Sequence, residues 1–245
     1  MRVILISYTG SPEEVVAAAG RGCYSARSSY EIYCDIDGDE ERIEKQLEII
    51  HGSCLEHANF TFSIVGLSRA CTHQLVRHRI ASFSQQSQRY TKVSDREVYE
   101  PGSIKADTDR SYIYYRAIDA AFVAYEELLE KGVPKEDARY VLPESVQSNI
   151  TVTMNARELL HFFGLRCCRR AQEEIRELAD QMMRICKCIA PLLFRDAGAQ
   201  CVQLGYCPEH KCCGKAPRLI DLRNAWVREM PRRMKEEIEQ EEKQC

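Results

Sequence analysis

Arg77-His78-Arg79 sets three cationic or cationisable side chains in a row. Small, hydroxyl-bearing and amide-bearing residues follow, Ile80-Ala81-Ser82-Phe83-Ser84-Gln85-Gln86-Ser87-Gln88, and then Arg89. Arginine presents a rigid fork of donors that matches phosphate and carboxylate. Hydroxyls and amides both donate and accept, so they can read the polar edge of a ring. The mixture suits a flat, anionic ligand rich in hydrogen-bonding groups, such as a nucleotide. Three basic residues alone could equally be a solvated helix end, where the helix dipole favours cations. Ser87 with His78 invites a nucleophile-and-base reading. No nucleophile-elbow pattern is present and the surroundings are Arg-rich, so Ser87 reads better as a ligand.

Further along, Asn155-Ala156-Arg157 and Leu165-Arg166 flank the apolar run Leu159-Leu160-His161-Phe162-Phe163. Arg157 and Arg166 lie nine residues apart. That is about half a turn out of alignment on a helix. They should therefore face different ligands, or the helix should break at Gly164. Arg139 alone is a helix-surface residue, and His161 alone a polar residue at a core edge. Glu56-His57 could be an acid/base pair or a structural ion pair. Cys201, Cys207, His210, Cys212 and Cys213 are zinc-type donors. Their spacing lacks paired C-x2-C units, so a reduced loop without metal is the expectation.

These residues need a scaffold, and the patterns supply one. Arg2 to Tyr8, Ala58 to Leu67 and Val146 to Met154 read as strands. Helices are expected at Pro12 to Gly20 with Ser11 as N-cap, Asp39 to His51, Ser68 to Arg79 and Pro134 to Val141. The motif loop should follow the third of these. A long helix from Asp109 to Lys131 should bury Tyr114, Ala117, Ala121, Ala124 and Leu128. Asn155 should cap a helix running to about Phe163. Ala171 to Leu193 is strongly amphipathic through Ile175, Leu178, Met182, Ile185 and Ile189.

At 245 residues the chain can form one domain, 1–245, with a Cys-rich segment at 201–213 and a charged tail at 228–245. A net charge of −3 gives no global pull toward nucleic acid or membrane. The Arg cluster lacks the interleaved aromatics of a base-stacking platform. No apolar run is long enough to cross a bilayer. The apolar start meets Thr9-Gly10-Ser11-Pro12 too early for a signal peptide, so a cytoplasmic location is expected. The thirteen cysteines then read as reduced thiols, with Cys167, Cys168, Cys186 and Cys188 in packing roles.

Arg77-His78-Arg79, seven residues and then Ser87 resembles the RHR-x7-S motif of flavin-dependent thymidylate synthases. Leu55-Glu56-His57, Arg139-Tyr140-Val141-Leu142-Pro143, Asn155-Ala156-Arg157 and Leu165-Arg166 resemble that family in the same order. The match, with Ser82, Ser87 and Arg89 at family spacing, favours the functional reading of the basic cluster. It implies an α+β fold, a mixed sheet flanked by long helices, and a homotetramer with active sites at subunit interfaces. It implies tightly bound FAD, with NADPH and methylenetetrahydrofolate as co-substrates and dUMP converted to dTMP. The alternative is a non-catalytic flavin- or nucleotide-binding protein. By resemblance His51, Ser53, Arg77, His78, Arg79, Asn155, Arg157 and His161 belong to the flavin. Gln74, Gln85, Gln86, Ser87, Gln88, Arg89 and Arg139 belong to the nucleotide, and Arg166 is the catalytic residue at the uracil edge. Where relatives often carry Thr-Pro, this chain has Ser53-Cys54.

Overall fold

Alternating apolar side chains lay down one four-stranded sheet. The computed structural model describes residues 1–221 apart from Asp37, Ile49, Ser94, Asp95 and Leu219, so the expected tail at 228–245 lies outside the described residues. Strands β1 (Arg2–Tyr8), β2 (Asn59–Ser68), β3 (Ala81–Gln85) and β4 (Gln147–Asn155) pair in the order β1-β2-β4-β3. Every pairing is antiparallel, which corrects the expected mixed sheet. The sequence of the strands explains it. Phe60, Phe62, Ile64, Ile150, Val152 and Met154 bury one face, while Thr61, Ser63, Thr151 and Thr153 make the other polar. Antiparallel sheets are the ones that tolerate a single covered face.

The helices in chain order are α1 (Pro12–Gly22), α2 (Ser29–Ile36), α3 (Glu40–Leu47), α4 (Arg69–Leu75) and α5 (Gly102–Lys105). After them come α6 (Thr108–Glu130), α7 (Lys135–Ala138), α8 (Ala156–Arg166), α9 (Glu173–Ile189) and α10 (Gln200–Leu204). Tight 3₁₀ turns occupy Gly52–His57 and Arg139–Val141. Helices α8 and α9 cover the apolar face of the sheet with Leu159, Phe162, Phe163, Ile175, Leu178 and Met182. Ala179 and Cys186 complete the stripe of α9, with Ile185 and Ile189 at its half-buried edge.

Several expected details change. Ser11 precedes α1 but makes no side-chain cap, and its φ of 44° is left-handed. The helix expected to reach His51 ends at Leu47, beyond an Asp39 cap that accepts from the Arg42 N–H at 3.0 Å. Helix α6 fully buries Ile118, Phe122 and Tyr125; of the expected stripe Tyr114, Ala121, Ala124 and Leu128 are half-buried and Ala117 is exposed. The motif segment contains β3, whose Ala81, Phe83 and Gln85 face inward while Ser82 and Ser84 face out. Among the described residues no helix is long and apolar enough to cross a membrane.

Candidate functional site

Helix α4 starts where β2 ends, and a buried carboxylate fixes the joint. Ser68 Oγ accepts from the Cys71 N–H at 3.0 Å, and the Ser68 N–H donates to Glu174 Oε1 at 2.8 Å. The Ser68 hydroxyl donates to the other oxygen of Glu174, a residue with no exposed surface. Burial raises the Glu174 carboxyl above its ordinary value, against these two donors. Because α4 ends at Leu75, Arg77-His78-Arg79 forms a turn and not a helix end. Arg77 and Arg79 are exposed, and His78 turns inward to 4 % exposure.

What His78 meets comes from α8. Asn155 ends β4 and caps α8, its Oδ1 accepting from the Glu158 N–H at 2.9 Å. The helix runs unbroken through Gly164 to Arg166, so its two arginines diverge by rotation alone. Arg157 donates to Glu56 Oε1 at 2.6 Å, which makes Arg157, not His57, the partner of Glu56. Arg166 Nε donates to His78 Nε2 at 3.1 Å, and its Nη2 reaches the Gln74 carbonyl at 3.4 Å. His78 Nδ1 in turn lies 2.9 Å from Glu158 Oε1. Arginine can only donate, so His78 Nε2 is the acceptor and the Nδ1–H donates to Glu158. Burial lowers the His78 pKa; Arg166 and His161 lower it further, and Glu158 opposes them. The imidazole is thus held neutral between a cation and a carboxylate, with the Phe162 ring edge-on at 4.9 Å.

A second group of cations gathers beyond α4. Arg69, His73, Gln88, Arg139, Tyr140 and Glu144 line an open cavity of about 420 Å³. Arg69 and His73 share one face of α4 by their four-residue spacing. Arg69 Nη2 donates to the Gln86 carbonyl at 3.4 Å, but its buried Nε has no partner among the described residues. Burial and then the nearby Arg139 lower the Arg69 pKa. Arg139 Nε donates to the Glu136 carbonyl at 3.0 Å, and Arg89 Nε donates to Glu136 Oε2 at 2.7 Å. Two adjacent guanidiniums and an orphaned donor call for an anion. Gln88 also lines a neighbouring polar cavity of about 130 Å³ with Gln86, Ser87 and Lys92.

The sequence model of the thymidylate synthase complementing protein family matches residues 4–192. A flavin-dependent thymidylate synthase of Geobacter sulfurreducens is 49 % identical over 88 % of this chain and 95 % of its own length. One from Pyrococcus abyssi is 46 % identical over 86 % of this chain and 91 % of its own. This chain belongs to the flavin-dependent thymidylate synthase family. Among solved structures, the Helicobacter pylori synthase complexed with FAD and dUMP aligns with a TM-score of 0.63 at 28 % identity. It covers 81 % of this chain and 100 % of that one. A UMP/dUMP methylase from Streptomyces cacaoi bound with 5-Br dUMP aligns with a TM-score of 0.68 at 28 % identity, covering 79 % and 93 %.

Of the residues expected at the flavin in a flavin-dependent thymidylate synthase, Asn155 and Arg157 open α8 beside the turn that carries Ser53, and His78 lies against His161 further along the helix. The 3₁₀ turn carrying Ser53 passes so close that a Cβ on Gly52 would sit 3.7 Å from Arg157 Nε. The His78 and His161 rings are 5.7 Å apart. His51, at the entry to that turn, hydrogen-bonds the Tyr24 hydroxyl. Arg77, Arg79 and Arg157 are exposed, and Arg157 is paired with Glu56. Gln74 touches Arg166 through its carbonyl and Gln172 through its amide. Gln85 Nε2 donates to Thr72 Oγ1 and Ser148 Oγ at 3.1 and 2.9 Å. The Gln86 side-chain oxygen accepts from the Asn149 N–H at 3.3 Å. Arg69 and Glu158 were not singled out from sequence. A Glu three residues after an Asn cap usually reads as capping, and Arg69 stands outside the motif.

His78, Glu158 and His161 also form a group whose ligand-type atoms lie within 4.8 Å of one another. Both His78 nitrogens are already hydrogen-bonded. The tail cysteines do not form such a group among the described residues. Burial raises the thiols of Cys71, Cys167 and Cys186, in keeping with packing roles, whereas Cys188 is exposed.

Proposed function

We propose that this chain catalyses the reductive methylation of dUMP to dTMP with methylenetetrahydrofolate as carbon donor and NADPH as reductant. The observation that carries the reading is α8 itself. Its start sets Arg157 beside the turn that carries Ser53, and its end delivers Arg166 to His78 and to the α4 residue Gln74. His51, Ser53, Arg77, His78, Arg79, Asn155, Arg157 and His161 would hold FAD, which supplies the hydride when reduced. Arg69, Gln88, Arg89 and Arg139 would take the nucleotide phosphate, a group carrying roughly −1.5 to −2 charge at neutral pH. Ser87 and Gln74 would orient the nucleotide. Arg166 would face the uracil carbonyls and stabilise negative charge that grows as the ring is attacked, which is where binding raises rate.

A homotetramer with shared active sites fits the surface of α6. Tyr112, Ile113, Tyr115 and Val123 are exposed on one helix. Such apolar patches mark surfaces that subunits cover. The test is the visible spectrum of the purified protein, followed by NADPH bleaching and dTMP formation with methylenetetrahydrofolate. A yellow protein that NADPH bleaches and that forms dTMP is expected. A colourless protein that takes up no flavin would overturn the reading. Flavin bleaching without dTMP would leave a non-catalytic flavin protein.

A further inference from the structure

We propose that Glu158 is a positioning residue for the reaction, acting on Arg166 through the fixed tautomer of His78. This rests on the assignment of Arg166 to the uracil. The residue is unexpected in its place. A Glu at the third position of a helix, behind an Asn cap, is normally solvated or folded back onto the cap. Here the Asn155 side chain caps alone, and the Glu158 carboxylate turns into the protein to 5 % exposure. A carboxylate is costly to bury unless it is hydrogen-bonded to something that needs it. Its side-chain partner is His78 Nδ1 at 2.9 Å, and the far nitrogen of the same ring accepts from Arg166 at 3.1 Å.

The chain of bonds runs in one sense only. Arg166 Nε–H donates to His78 Nε2, and His78 Nδ1–H donates to Glu158. If Glu158 were removed, the ring could carry its proton on Nε2 instead. Two donors would then face each other, and Arg166 would lose the contact that aims its guanidinium. Protonation of His78 has the same effect, because both ring nitrogens then donate. The charged and titratable groups facing His78 are Glu158, Arg166 and His161, all from α8. The turn that carries His78 contributes only the exposed Arg77 and Arg79.

The experiment compares Glu158→Ala, Glu158→Gln, Arg166→Ala and the double variant Glu158→Ala/Arg166→Ala. It uses the flavin-loaded enzyme and follows flavin absorbance, melting temperature and dTMP formation against pH. Glu158→Ala should keep its flavin and lose about 10- to 100-fold in kcat, the usual cost of removing an outer partner that orients a working group. Glu158→Gln keeps an acceptor for Nδ1–H, so it should lose less than about tenfold. Its acid limb should move to lower pH by about one unit or more, because a carboxylate that favoured protonated His78 is gone. A purely structural role predicts the opposite, an enzyme failing earlier in acid. The double variant should be no slower than Arg166→Ala, since both act through one group.

Equal damage from Gln and Ala, an acid limb that moves up, or additive losses in the double variant would each overturn the proposal. So would a folded, flavin-loaded Glu158→Ala enzyme with near-parental kcat beside a crippled Arg166→Ala. Near-parental turnover in Arg166→Ala would instead remove the assignment of Arg166 on which the proposal stands.

Discussion

Replacing Arg69 with Met should stabilise the ligand-free protein and weaken its hold on the nucleotide. Arg69 keeps one bond, from Nη2 to the Gln86 carbonyl, while its buried Nε has no partner among the described residues and Arg139 stands nearby. A buried donor without a partner costs roughly 1–3 kcal/mol, and Met fills similar space without that cost. The ligand-free melting temperature should therefore rise. With dUMP present most of that gain is offset. One charge-assisted bond to phosphate contributes about 1.5–3 kcal/mol, or about 12- to 140-fold in Kd. Taking about 30-fold, nucleotide at 100 times the parental Kd stabilises the parent by about 2.7 kcal/mol and the variant by only about 0.9. Thermal shift with and without dUMP, beside calorimetric Kd, reads both arms. An unchanged Kd would refute the placing of phosphate in this cavity, and a lowered ligand-free melting temperature would refute the cost assigned to the orphaned donor.

Arg166→Ala should lose about 10²–10³ in turnover, roughly 2.7–4 kcal/mol. Arg166→Lys should also fail because the planar fork is lost. Both should keep their flavin, as flavin titration beside dTMP assays will show. Ser87→Ala should raise the KM for dUMP about three- to tenfold, the value of one ordinary hydrogen bond, with turnover retained; loss of all chemistry at unchanged affinity would mark Ser87 as a nucleophile. Glu174→Ala strands the Ser68 donors, costing about 1–3 kcal/mol and about 2–4 °C in Tm per kcal/mol. The His78 pKa is depressed in the folded protein. Its stabilising contribution is therefore present above the unfolded value near 6.5 and is lost as the pH falls through the folded value. Denaturant midpoints measured downward from pH 6.5 should decline, and His78→Gln should flatten that slope.

Much of the site was legible because it lies in short runs with chemical meaning. Asn155 reads as a cap and is one, and the half-turn offset of Arg157 and Arg166 reads correctly from spacing. Strand β3 was also present in the sequence as strict alternation, Ala81 and Phe83 against Ser82 and Ser84, but its hydroxyls resemble a loop. Arg69 was hidden because Arg139, the neighbour that gives it meaning, is seventy positions away and arrives only when α7 docks. Glu158 was hidden because burial, not residue type, sets it apart. The phase of α6 is hard to read because its large apolar and aromatic residues lie on more than one face, so its sequence does not choose which of them is covered.

Helix α8 has one more consequence. With its arginines nine positions apart, it acts as a spacer of fixed length and fixed azimuth, roughly 13.5 Å and half a revolution. Substitutions can vary the side chains along it, but a single inserted residue would swing Arg166 by about 100° away from His78 while advancing it only about 1.5 Å. No neighbouring loop can absorb that rotation, because β4 anchors one end directly. Insertions and deletions should thus be tolerated around this helix and lethal to catalysis within it, even where the sheet beneath still folds.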